Sequence, residues 1–416
     1  MSGTRRALPR LAQLAVLLCG LASGAAAQPA LGYGPTPRAL DNRTLFTDTP
    51  AADWAALRAA GFGTLVLNAT FFLQEDIVRP GAPSRPAGTY LEDGDLAALA
   101  AAVTRHGFVV AYEGGSGLSA ERCDLALAPE TRGAAAASAE YAATVARLHA
   151  AGVAVGALHL DGPFLRLAEG SRKRWSCAKS GPGGLTPEAA ARTVHAYLVE
   201  MRRLVEAGNP GGAPVALRLV VNLPNWQVMD IPPLGGGTGP DLRATLGAWN
   251  ALQRIVPPVA YEEVVIDYPF RLIDGARARF RDRLLYLWTL TREANGPDRP
   301  GPALGVIVNT TDRNVGCLDE APKDRTPFLP YRRAGRPVDA ACLAQQESGP
   351  DADYLAASRR YAAELAADGA LDRILVTADG TRIARHIAHL YLQSWSTNPS
   401  RNLWMLRQLA ADPPGG

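Results

Sequence analysis

The feature that most limits what this chain can fold into is an alternation. From residue 50 to residue 395, helix-like and strand-like stretches follow one another. "PAADWAALRAAGF", "DLAALAAAVTRHG", "ASAEYAATVARLHAAG", "TPEAAARTVHAYLVEMRRLVEAG", "DLRATLGAWNALQRI", "ARARFRDRLLYLWTLTREANG" and "DADYLAASRRYAAELAADG" read as helices. Thr186-Pro187-Glu188 gives the longest of them a cap and a first turn. Between them lie short apolar runs that read as buried strands, near residues 64–72, 108–113, 153–161, 215–223, 263–268, 303–309, 372–377 and 389–395. Strands alternating with helices imply a largely parallel sheet. Eight of them predict an α/β fold of the (β/α)8 TIM-barrel type, with residues 28–416 as one barrel domain. An open doubly wound sheet is the alternative. No Gly-rich fingerprint follows the first strand candidate, which weighs against a dinucleotide fold. The Pro-rich residues 28–50 read as an irregular entry segment.

The connections are unequal. Helix-to-strand segments are short, such as "HG" and "AAG". Strand-to-helix segments are long: about 25 residues follow Asp161, nearly 20 follow Asn222 and about 40 follow Asn309. In a barrel these long loops gather on the face where strands end, which is where such folds place their chemistry.

The strand ends carry polar and aromatic residues. "VGALHLDGP" runs from an apolar stretch into Asp161, then turns at Gly162-Pro163. A carboxylate at the end of a buried strand is unfavourable unless it is bonded, paired or used. Asp267 and Tyr268 end the fifth candidate and Glu113 the second. His159 shares a face with Asp161. Asn222, Asn225 and Trp226 follow the fourth, Asn309 the sixth, and Gln393, Ser394 and Trp395 the last. Acids and amides that bond hydroxyls, together with aromatic rings that stack on sugar faces, suit a carbohydrate. Asp161 and Asp267 are the expected catalytic carboxylates, with Glu113 in reserve. His159, Asn222, Trp226, Tyr268, Asn309, Gln393 and Trp395 are the expected substrate contacts. Each also has a structural explanation, as a turn cap, a satisfied core residue or a plug at the barrel mouth. No nucleophile triad, phosphate loop or zinc spacing is present in the sequence, so neither a cofactor nor a metal is expected.

The first 27 residues read differently. Arg5, Arg6 and Arg10 precede the apolar run "LAQLAVLLCGLA", and "SGAAAQ" supplies small residues. This is the pattern of a secretory signal cleaved after Ala27, and the run is short for a membrane span. Export to the periplasm or the medium is expected. Removing the segment leaves 40 basic against 40 acidic side chains, a balance with no footprint for nucleic acid or anionic lipid. Cys123, Cys177, Cys317 and Cys342 remain. An even number in an exported chain suggests disulfides. Cys317–Cys342, within one long loop, with Cys123–Cys177 is the favoured pairing among three. The oligomeric state is not legible.

At these strand ends the chain resembles a group of bacterial exported proteins built as glycosidase-like (β/α)8 barrels. The matching patches are "LHLDGPF", "VNLPNW", "LGVIVN" and "YLQSWSTNPSRNLW". The resemblance implies an exported glycoside-hydrolase-like protein that acts on a polysaccharide or oligosaccharide by carboxylate acid/base chemistry. Two departures matter. Gly162 stands where that group has a glutamate before proline, and Leu223 stands where barrel glycosidases place another. Glycoside hydrolysis ordinarily needs two carboxylates, about 5–5.5 Å apart for retention or about 6.5–9.5 Å for inversion. The departures keep two alternatives open: an inactive glycan-binding barrel, or a structural partner in exopolysaccharide export.

Overall fold

The computed structural model describes residues 28–37, 39–72, 90–119, 124–170, 184–234, 239–293, 301–310, 338–394 and 398–413. Among these, eight parallel strands close a barrel in chain order. They are β1 (Ala30–Gly34), β2 (Phe62–Asn68), β3 (Val109–Gly114), β4 (Val155–Asp161), β5 (Ala216–Asn222), β6 (Glu263–Asp267), β7 (Ala303–Ile307) and β8 (Ile387–Gln393). A long helix follows each strand: α1 (Ala51–Ala59), α2 (Asp93–His106), α3 (Pro129–Ala143), α4 (Pro187–Gly208), α5 (Leu242–Leu252), α6 (Arg277–Glu293), α7 (Pro350–Leu365) and α8 (Asn402–Ala411). The last packs back against α1 and closes the outer ring. The fold is a (β/α)8 barrel.

Local chemistry explains the punctuation. Thr186 caps α4 by accepting from the Ala189 N–H, with Pro187 in the first turn. Gly107 ends α2 with φ 68°, a left-handed conformation that glycine adopts without a Cβ clash. Glu92 and Asp95 form a reciprocal cap at its start.

The strands are apolar on both faces because both faces are covered. Their outward residues, among them Leu65, Leu158, Leu219, Ile266, Val306 and Leu392, pack under the helices. Inward, Val66, Ala111, Ala157, Val220, Val265, Ile307 and Tyr391 fill the lumen. Each fully buried aliphatic side chain stabilises the fold by roughly 1.5–3 kcal/mol relative to exposure.

Register decides what reaches the mouth. One row of paired residues runs Asn68, Glu113, His159, Arg218, Glu263, Ala303, from the last residue of β2 to the first of β7. A second descends from Asp161 through Val220, Val265, Gly305 and His389 to Ala30. A third descends from Asn222 and Asp267 through Ile307, Tyr391 and Gly32 to Thr64. Strand tilt makes every row start at the mouth and finish at the floor. Asn68, Asp161, Asn222, Asp267 and Gln393, each the final residue of its strand, therefore ring one opening.

Three expectations are corrected. The first barrel strand is Ala30–Gly34, inside the segment read as irregular. Its sequence, "ALGYG", is poor in strand formers because β8 fills the space. A Cβ on Gly32 would lie 2.4 Å from Tyr391 Cδ1, and one on Gly34 would lie 2.7 Å from Gln393 Cγ. The candidate at 372–377 is not a barrel strand. Residues Ala370–Ile374 form a short helix that buries Leu371, and Val376 makes only an isolated bridge to Arg382. The helix read at 137–152 also starts earlier, at Pro129, and breaks at Thr144, whose hydroxyl donates to the Glu140 carbonyl at 2.6 Å.

No helix among the described residues is long and apolar enough to cross a membrane. The signal-like segment 1–27, Cys123, Cys177, Cys317 and Trp395 lie outside the described residues. Cys342 is buried beside Leu40 and Val338.

Candidate active site

Glu113, Asp161 and Asp267 come from three different strands and share one electrostatic neighbourhood. Glu113 is fully buried. The Asn68 amide donates to its Oε1 at 2.7 Å, and the Gln393 amide donates to its Oε2. Burial pushes its carboxyl well above the usual range, and the nearby charges of Asp161 and Asp267 push the same way, against the two amide donors. Burial and the two neighbouring acids thus favour the protonated form of Glu113.

Asp267 is also buried. Asn222 Nδ2 donates to its Oδ2, and Asn309 Nδ2 donates to its Oδ1 at 3.3 Å. Asn225 in turn donates to Asn222 Oδ1. The polar ends of β5, β6 and β7 are therefore one hydrogen-bonded chain. The Asn68 side chain accepts from the Thr70 N–H at 2.8 Å, which fixes its amide toward Glu113.

Asp161 is the open member, its side chain 26% exposed. Gly162 at φ 49° turns the chain, Pro163 starts the short helix Pro163–Leu167, and that helix returns Arg166 to the aspartate. Arg166 donates to Asp161 Oδ2 at 2.8 Å and through Nε to its carbonyl at 3.0 Å. Gly115, at φ 103°, leaves room for this fold-back: a Cβ there would sit 3.3 Å from the Asp161 carbonyl and 3.5 Å from Arg166 Nε. Sequence reading missed Arg166. Its signal was local: a Gly-Pro turn with an arginine one helical turn later.

His159 lies deeper. It is fully buried, and Arg218 contacts its Nε2 at 3.1 Å. An arginine can only donate, so Nε2 accepts and the neutral ring carries its proton on Nδ1. Burial, with help from Arg218 and His389, holds its pKa well below the ordinary value. Arg218 also pairs with Glu263 at 3.0 Å and donates to the Tyr391 hydroxyl at 2.8 Å. Tyr391 in turn donates to Glu263 Oε2 at 3.1 Å, and His389 Nδ1 lies 3.1 Å from Oε1. This network plugs the lower lumen. Deleting one partner of such a buried pair typically costs about 3–5 kcal/mol. His159 thus sits in the plug rather than at the opening. The network left a trace in the sequence: Arg218 interrupts an apolar strand, and Glu263 starts the next.

The aromatic residues divide otherwise than expected. Trp226 is 3% exposed and packs in the shell under the helices, with its carbonyl accepting from Arg283 at 2.8 Å. Tyr268 is fully buried, edge-on to Phe280 at 4.9 Å. Neither offers an open ring face in this structure. Gly162 has no side chain and Leu223 is fully buried, so the acids at the mouth come from other strand ends. Among the described residues no group of three or more His, Cys, Asp and Glu side chains is arranged to hold a metal.

No family model matches the chain, and no curated protein matches it. Solved structures of similar fold include a chitinase from Rhizomucor miehei, at 11% identity over 91% of this chain and 99% of that one, with a TM-score of 0.41. A β-mannanase from Alicyclobacillus acidocaldarius matches at 12% identity over 92% and 96%, with a TM-score of 0.35. A sugar phosphate isomerase/epimerase from Parabacteroides distasonis matches at 8% identity over 94% of each chain, with a TM-score of 0.36. Likeness at this level carries no argument about activity. The fold rests on the strand pairing, and the function has to be read from the mouth.

Proposed function

We propose that this barrel binds a glycan at its C-terminal mouth and hydrolyses it with Asp161 and Asp267. The observation that carries the reading is positional: Asp161 and Asp267 are the final residues of β4 and β6, and Glu113 is next to last in β3, so all three lie toward the same end of one closed parallel barrel. Hydrolysis needs one carboxyl to protonate the leaving oxygen and another to act as base or nucleophile. Asp161 is the carboxylate most open to a ligand, and Asp267 ends the next strand but one. Glu113, sealed below, is a positioning residue: it links Asn68 to Gln393 and touches no ligand itself. Asn222, Asn309 and Gln393 orient hydroxyls.

A non-catalytic glycan-binding barrel is the second reading. It is favoured by the ties on each acid: Arg166 on Asp161, and amides on Glu113 and Asp267. One experiment separates the two. The protein is incubated with a panel of polysaccharides, and new reducing ends are counted for the wild type, Asp161→Asn and Asp267→Asn. Hydrolysis that falls by about a hundredfold or more in either variant supports the assignment. Full activity in both variants overturns it, and binding without any release favours the inert barrel.

The same proposal has the protein exported, with cleavage after Ala27 and a Cys317–Cys342 disulfide. Cleavage there leaves Gln28 and Pro29 ahead of β1. A mature N-terminus at Gln28 and a non-reduced peptide joining the two cysteines are the expected mass-spectrometric results. A retained leader and a free Cys342 thiol contradict them.

A further inference from the structure

Glu140 lies on α3, away from the strand ends, and is fully buried. Its Oε1 accepts from the Tyr112 hydroxyl at 2.8 Å and from the Gly115 N–H at 3.0 Å. Its Oε2 accepts from the Tyr197 hydroxyl at 2.8 Å and from the Gly117 N–H at 2.5 Å. Both oxygens thus work as acceptors, as a carboxylate can. The Gly115 N–H also reaches the Tyr197 hydroxyl at 3.2 Å, so Tyr197 backs the same contact. Burial, and after it the Glu140 charge, holds both phenols well above their ordinary pKa, so both hydroxyls remain donors. The chain leaving β3 is wrapped tightly onto the acid. A Cβ on Gly114 would lie 2.8 Å from Glu140 Oε1, and one on Gly117 would lie 2.9 Å from Oε2.

The same loop meets the candidate acids on its other side. Glu113 immediately precedes Gly114. Gly115 packs against the end of β4, close to the Asp161 carbonyl and to Arg166 Nε. Resting on the hydrolytic reading above, we infer that Glu140 is a positioning residue for that site. By fixing the Gly115 and Gly117 N–H groups it holds Glu113 and the Asp161–Arg166 pair in place, and it touches no ligand itself. Glutamine cannot replace it, because the two backbone N–H groups face different oxygens. An amide in either orientation turns its NH2 toward one of them. A tyrosine hydroxyl can rotate to accept, but a backbone N–H cannot, so the loop has to shift. A misplacement of about 1 Å at a reacting group can cost about a hundredfold in rate.

The test compares the full-length wild type with Glu140→Gln and Tyr112→Phe. Tyr112→Phe removes one bond to the same carboxylate and leaves the loop contacts intact. Melting temperature, kcat and KM are measured on the polysaccharide that the wild type hydrolyses best. Glu140→Gln is expected to lower kcat by about tenfold or more with KM changed by less than about threefold. Tyr112→Phe is expected to lower the melting temperature while kcat stays within about twofold. Wild-type kcat in Glu140→Gln, or an equal loss of kcat in Tyr112→Phe, overturns the inference and leaves the hydrolytic reading standing. If Glu140→Gln does not fold, Gly115→Ala presses on Asp161 and Arg166 from the same loop, and wild-type kcat there overturns the inference. If the wild type releases no reducing ends, the hydrolytic reading fails, and crystal structures of the wild type and Glu140→Gln decide. A displaced Gly115 with an opened Arg166–Asp161 contact supports the positioning role, and superimposable Gly115, Asp161 and Arg166 overturn it.

Discussion

Glu113 is placed where an ionised carboxyl is disfavoured, and stability should record this. Its folded pKa is raised by burial first and by Asp161 next. Below the ordinary carboxylate range, both folded and unfolded chains hold the proton, and the residue carries no penalty. As pH rises past the unfolded value, the unfolded chain ionises while the folded one still holds its proton, so stability is lost up to the folded pKa. Melting temperatures between about pH 4 and about pH 8 should therefore fall less steeply in Glu113→Gln than in the wild type. Equal slopes would show that Glu113 does not hold its proton in the fold. At this scale much was legible. Asp161, Asp267, Glu113, Asn222, Asn309 and Gln393 could be named because a polar residue at the end of an apolar run is conspicuous. Arg166 was missed although its Gly-Pro signal was local, because its role shows only once the turn at Gly162 is seen to fold the chain back on Asp161. Trp226 and Tyr268 show the limit of residue type alone: an aromatic after a strand serves the outer shell as readily as the mouth, and only its direction decides.

At the scale of elements, β1 and β8 are fitted to each other. Gly32 faces the Tyr391 ring, and that ring is pinned through its hydroxyl to Arg218 and Glu263. The ring cannot swing away from an added methyl without breaking those bonds. Gly32→Ala should cost about 1–3 kcal/mol, the usual range for overpacking a filled core. Urea denaturation measures it, and an unchanged midpoint would contradict the packing described. This fit also explains why β1 was unreadable. "ALGYG" lacks the β-branched and aromatic density of the other strands because its partner supplies the bulk. At 372–377 the error ran the other way. "ILV" has strand composition, but Leu371 and Leu375 are both fully buried in helical spacing, so tertiary packing overrode propensity.

For the whole molecule, chain direction does the organising. Because all eight strands run parallel, their final residues meet at one opening although Asn68 and Gln393 are far apart in sequence. The alternation of elements and the unequal loops made this architecture readable from the sequence. The register, which separates the mouth from the plug beneath it, was not readable, since a shift of two residues keeps every side chain on its face while moving it by a layer. The central claim is that a sugar sits among these strand ends. It is tested most directly by soaking crystals of Asp267→Asn with the glycan that the wild type binds or hydrolyses best. The account predicts a sugar ring at the mouth, in contact with Asp161 and hydrogen-bonded to Asn309 or Gln393. A sugar bound elsewhere on the surface, with only solvent among these residues, would contradict it.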